Sequence, residues 1–242
     1  GWRSVAVMTD LIVALGLATL AIGIPVDASA APWAQPLVST WTWCALSVVV
    51  WLAGPGERRG LAACPVLATA GELFLKDVWG LYVYRLDNLP LFIPPGHALV
   101  YAVARRLADR APGWLPLAVG TSFAVVVGRG AWLGTDTFGL VWFAVFLAYL
   151  RVSTRPALCA TLFLLALAIE TYGTALAGWR YFTVEPWFGL TTTNPPVWIG
   201  AIYCTLETLV QLATGGRPAA VKSPCRGAHP HATVMGAMIG PD

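Results

Sequence analysis

Apolar residues fall into eight stretches along the chain, at 5–24, 37–54, 60–84, 91–104, 114–127, 139–152, 157–177 and 196–214. A helix that crosses a bilayer needs about 20 mostly apolar residues, or about 17 in a short case. The pattern predicts an all-α, polytopic transmembrane helical bundle of about eight spans. The fourth to sixth stretches need flanking residues to cross, and the third has an irregular distal end. The first stretch carries Asp10 and lacks a strongly basic flank, so it reads as a span rather than a signal peptide. Residues 1–214 form the membrane domain in this reading. Beyond them, 215–242 is rich in Gly, Pro and small residues and reads as a flexible cytoplasmic tail.

Composition agrees. The chain is 57% hydrophobic and 11% charged, against about 25% charged in soluble domains. So few charges cannot cover a water-facing surface, and lipid must be the solvent for much of the chain. Twelve Trp and seven Tyr suit the headgroup boundary, where one end of the ring is wet, and also apolar ligand sites.

The charges orient the bundle. With the N-terminus cytoplasmic, the inner connections hold Arg58 and Arg59, then Arg105, Arg106 and Arg110, then Arg151 and Arg155. Arg3 and the tail residues Arg217, Lys222 and Arg226 join them. The outer side holds Arg85, Arg129 and Arg180. Such a bias follows the positive-inside rule and puts both termini in the cytoplasm, with a bacterial inner membrane as the expected location. No basic run argues for nucleic acid. The five cysteines include no CxxC pair and their number is odd, so neither a disulfide framework nor a zinc site is expected. His229 and His231 in the tail read as solvated, and no metal or cofactor is expected.

A doubled pattern stands out. GELFLKDVWGLYVYRLDNLPLFIPPGHALVYA starts at Gly71, and IETYGTALAGWRYFTVEPWFGLTTTNPPVWIGAIYC starts at Ile169. Each has a Glu in an apolar helix (Glu72, Glu170). A Trp and an aromatic pair follow: Trp79 with Tyr82 and Tyr84, and Trp179 with Tyr181 and Phe182. Then come a Pro-Pro step (Pro94-Pro95, Pro195-Pro196) and a Tyr in the next helix (Tyr101, Tyr203). Read as a repeat, it divides the membrane domain into halves at 1–110 and 111–214, related by an axis along the membrane normal. Each Pro-Pro pair is expected to open a helix, because Pro at the first turn lacks only an orphan N–H.

Ionisable groups inside a bilayer cost roughly 2.5–3.5 kcal/mol for Asp, Lys or Arg at a helix centre, and are kept where they pair or work. Asp10, Glu72, Lys76, Asp77, His97, Glu170 and Glu207 are such groups. Lys76 lies four residues after Glu72 and is expected to pair with it. Glu170 has no cation near it in sequence. A buried neutral carboxyl can donate a proton, so Glu72, Glu170 and His97 are the candidate catalytic residues. Trp79, Tyr84, Trp179, Tyr181, Trp198 and Asn194 are the candidate substrate-binding residues. The plainer alternative is that these groups only hydrogen-bond the helices together.

ETYGTALAGWRYF, at 170–182, resembles a segment of bacterial carotenoid-biosynthesis membrane proteins of the carotenoid hydratase type, over about thirty residues. The resemblance implies an acid that protonates an isoprenoid double bond, with water captured afterwards. The expected partner is then a membrane lipid or isoprenoid, and the chain a membrane lyase, hydratase or isomerase. Two other functions fit the composition: a non-catalytic, pigment- or lipid-binding subunit packed among membrane-protein partners, and a transporter with its site between the halves.

Overall fold

The computed structural model describes residues 2–29 and 31–215. Most of the tail predicted for 215–242, with Cys225, His229 and His231, lies outside the described residues. Eight α-helices are described: α1 (Trp2–Ala28), α2 (Ala34–Leu52), α3 (Pro55–Leu73), α4 (Ile93–Ala108), α5 (Leu115–Trp132), α6 (Thr137–Val152), α7 (Pro156–Ala175) and α8 (Ile199–Ala213). Each matches one predicted stretch. Proline sits in the first turn of α3, α4, α5 and α7, where its missing N–H has no helical partner anyway.

Among the described residues, four helical segments are long and apolar enough to cross a membrane: Val7–Ala28, Ala34–Leu52, Leu115–Trp132 and Pro156–Ala175. The helices α4, α6 and α8 have 16, 16 and 15 residues, about 24 Å or less at 1.5 Å per residue. That falls short of the ~30 Å hydrocarbon core. α3 is long enough, but Glu57, Arg58 and Arg59 occupy its first turns.

The prediction of helix alone fails at two places. The third stretch does not stay helical to Tyr84. α3 widens into a π-helical turn at Phe74–Val78, closed by Trp79 N–H on Phe74 O at 2.8 Å. Gly80 then takes φ +76°, a left-handed stop that glycine adopts without strain. Next comes a strand, β1 (Tyr82–Tyr84). Likewise α7 ends at Ala175, and Gly178 leads into β2 (Trp179–Tyr181). Aromatic and β-branched residues favour extended backbone, and the two strands satisfy one another. They pair antiparallel, Tyr82 opposite Tyr181, Val83 opposite Arg180 and Tyr84 opposite Trp179. The second Pro-Pro pair is also placed differently from expectation. Pro94 and Pro95 open α4, but Pro195 and Pro196 lie in the loop before α8, whose N-cap is Trp198.

The central helix is α4. It packs against α1, α2, α3 and α7, and most of its length is buried, from Pro94 to Ala104. The larger core joins Phe143, Phe146 and Phe163 to Trp198 and the strand aromatics, and a second core lies among α1 to α4 around Ile12, Val49, Leu61 and Leu99. One end of the bundle carries the strands, where Arg85 reaches Asp27 and Asn88 bonds Gln35. The opposite end carries Arg106 on Glu57, Arg110 on Asp10 and Arg155 on Asp109, each at 2.6 or 2.7 Å.

Candidate functional site

Side chains alternate along a strand. In β1 the outer residues Tyr82 and Tyr84 therefore share the bundle-facing side, and in β2 Trp179 and Tyr181 do the same. All four are buried, whereas Arg180 between the latter pair is exposed. Cross-strand pairing brings them together: the Tyr82 and Tyr181 rings are 5.0 Å apart and tilted, and Tyr84 meets Trp179 edge-on at 6.1 Å.

This aromatic layer caps two buried carboxyls. Glu72, in the last turn of α3, accepts hydrogen bonds on Oε2 from the Tyr82 hydroxyl at 2.5 Å and the Tyr84 hydroxyl at 2.6 Å. Glu170, on α7, accepts on Oε2 from Trp179 Nε1 at 2.6 Å and the Tyr181 hydroxyl at 3.0 Å. Each strand thus gives both its inward donors to one oxygen of the acid that precedes it. Gly173 makes room for this. A Cβ there would collide with the Trp179 indole, which lies across α7 to reach Glu170.

The other oxygen of Glu72 faces His97. Oε1 is 3.3 Å from Nε2, while Nδ1 contacts the Ile93 carbonyl at 2.9 Å. A carbonyl only accepts, so Nδ1 carries a proton. Nε2 is then the ring nitrogen turned toward the carboxyl. The His97 ring stacks on Tyr203 at 5.0 Å and 14°, which fixes its plane.

Glu72, Glu170 and His97 line one cavity of about 60 Å³ with Tyr82, Tyr84 and Tyr203. Thr19 and Thr42 close it from α1 and α2. Since one water needs about 10–15 Å³ of such space, several fit beside the acids. Trp179 and Tyr181 also line it. Of the nine predicted site residues, the three catalytic candidates and Tyr84, Trp179 and Tyr181 therefore meet at one place.

The other three do not. Trp79 lines a neighbouring pocket with Glu72 and His97 rather than this cavity; its Nε1 donates to Glu185 Oε2 at 3.0 Å and its ring stacks on Trp187 at 4.6 Å. Trp198 is core, 1% exposed, with Nε1 on Thr192 Oγ1 at 2.7 Å and Phe138 against its face. Asn194 accepts the Tyr181 N–H at 3.2 Å and so anchors β2. Sequence spacing could not see that the loops fold back over the bundle and occupy these polar atoms.

Lys76 does not pair with Glu72. It binds Asp77 at 2.6 Å and lies 3.8 Å from Asp87, because the wider π turn rotates it off the face that an α-helical four-residue spacing assumes. Asp10 is not in the core either, since its side chain and that of its partner Arg110 are mostly exposed. Glu207 sits at the end away from the strands, beside Gln211 and Arg105.

Glu185, absent from the predicted set, is 1% exposed in the loop before α8. Burial pushes its carboxyl up. The N–H of Leu190, the Trp79 indole and the N–H groups of Trp187 and Phe188 outweigh this and hold it below its ordinary value. Tyr82 and Tyr203 also joined the site without being in the predicted set. The two-residue spacing of Tyr82 and Tyr84 after a glycine is the signal that points to a strand with both rings on one side. Comparison of the chain with protein-family models, with curated proteins and with solved structures finds no match.

Proposed function

We propose that the chain is an integral membrane enzyme that performs acid/base chemistry on a lipid-soluble isoprenoid. The observation that carries this is the pair of buried carboxyls, each held by two aromatic donors, on one aromatic-walled cavity. A proton moves from a carboxyl oxygen to one alkene carbon, and the neighbouring carbon becomes a tertiary cation. Faces of Trp179, Tyr181 and Tyr203 stabilise that charge. Water then adds its oxygen to the cation and gives its surplus proton back to the carboxylate, so the net change is one water added. Glu72 and Glu170 serve as acid and base, and His97 keeps a proton in reach of Glu72.

The same reading takes all eight helices as crossings, arranged as two parallel four-helix halves, with both termini in the cytoplasm of a bacterial inner membrane. Two observations support it. The arginines pair at the end opposite the strands, and the strands that follow Glu72 and Glu170 make equivalent contacts.

The test is expression in a host that makes linear isoprenoids and carotenoids, with mass spectrometry of the lipid extract. The expected result is a product heavier by one water, lost in Glu170→Gln and in Glu72→Gln. Full product formation by both variants overturns the proposal.

A second reading, a lipid- or pigment-binding subunit, is favoured by the large exposed indoles Trp41, Trp51, Trp114 and Trp132. It predicts stoichiometric partner proteins on purification in mild detergent and no altered lipid.

A further inference from the structure

The central cavity is too small for a long hydrocarbon, and it has an apolar neighbour on each side. Between α1, α4 and α7 lies a groove of about 310 Å³. Its wall shares Leu20, Ile24, Val100 and Ile169 with the wall of the central cavity. Across the acids, a pocket of about 200 Å³ shares Glu72, Leu75, His97 and Tyr203 with the cavity. The three spaces share walls, and both carboxyls line the central one.

From these shared walls we infer that the α1–α4–α7 groove is the lateral entrance for a linear isoprenoid chain, which slides in from the bilayer until a double bond reaches Glu170. This rests on the acid/base reading above. Three features specify the occupant. No charged side chain lines the groove, so nothing there holds a phosphate or choline headgroup. Its one hydroxyl, on Tyr172, is occupied by the Ala21 carbonyl at 3.1 Å, so it makes no demand on a ligand. The mouth faces outward from α1 and α7, where Ala21 and Ala168 leave space. A saturated acyl chain would also fit, but it offers the carboxyls nothing to protonate.

The experiment uses the full chain in phosphatidylcholine vesicles with a diazirine-bearing geranylgeraniol analogue, irradiation, and peptide mapping by mass spectrometry. Labelling is expected on residues 17–24 and 165–172, saturable and competed by unlabelled geranylgeraniol. Ala168→Trp, which fills the groove from α7, is expected to reduce it on the order of tenfold, equivalent to about 1.4 kcal/mol. Ala21→Trp, from the facing helix, gives the same result if the effect is occlusion rather than misfolding. Leu117→Trp, on the exposed side of α5, leaves labelling unchanged.

Label spread over exposed faces of α2 and α5 and not competed means ordinary surrounding lipid and overturns the inference. So does label confined to residues 67–74 and 202–209 and indifferent to Ala168→Trp. The underlying reading fails separately: Glu170→Gln is expected to label normally. If Glu170→Gln and Glu72→Gln also make product while the groove still labels, the entrance stands and the acid chemistry falls.

Discussion

At the scale of single residues, the site depends on donors that each have one job. Tyr82→Phe removes one of two hydroxyls on Glu72 and leaves the ring packed against Tyr181. A hydrogen bond to a charged or ionisable group contributes about 1.5–3 kcal/mol of stability, so a melting temperature lower by several degrees is expected together with reduced product formation. Measuring both quantities on one preparation checks this. Gly173→Val acts through packing instead. Its side chain would displace the Trp179 indole, and overpacking of this kind costs about 1–3 kcal/mol. Lower thermal stability and a changed tryptophan emission are expected together. Glu185 supplies a pH test. Its folded value lies below its unfolded one, so its stabilisation is complete above the ordinary carboxyl range and disappears as pH falls through the folded value. Wild-type melting temperature is expected to drop below about pH 4.3 more steeply than that of Glu185→Gln. Parallel curves would contradict this.

At the scale of elements, hydrophobic pattern located all eight helices, because burial of an apolar face follows from local sequence, whereas proline position marked the start of α4 but not that of α8. Glu72, Glu170 and their aromatic neighbours were also legible, since an acid in an apolar run is conspicuous. What escaped was the break in helix three. An apolar run continues through Val78 and Leu81, and nothing in its hydrophobicity announces that the chain leaves the helix by a π turn and Gly80. The placing of Trp79, Trp198 and Asn194 escaped for the same reason, because their partners are 6 to 108 residues away in folded-back loops. The π turn itself can be tested. Deleting Val78 removes one residue between Glu72 and β1, which lets the helix return to ordinary winding but carries Tyr82 and Tyr84 away from the carboxyl. Loss of product with retained helical circular dichroism is expected; unaltered product would mean that the turn does not position the strand.

At the scale of the whole molecule, the proposed eight-crossing arrangement makes a prediction about sidedness. Cysteine substituted at exposed Asp87, by the strands, should react with a membrane-impermeant maleimide from the periplasmic side. Cysteine at Gly113, at the opposite end, should react only after the membrane is opened. Equal reaction at both positions in intact spheroplasts would remove the topology.

The two strands meet over three residue pairs, and each comes from the loop that follows a different carboxyl. A slip of one residue would turn Tyr82 and Tyr84 outward and Val83 inward, unmaking the Glu72 contacts and the packing on Tyr181 and Trp179 in one movement. The acids thus lean on one shared strand pair, although they stand on separate helices. In a double-mutant cycle, Tyr84→Phe and Trp179→Phe should show a coupling energy of about 0.5–3 kcal/mol rather than adding as independent losses.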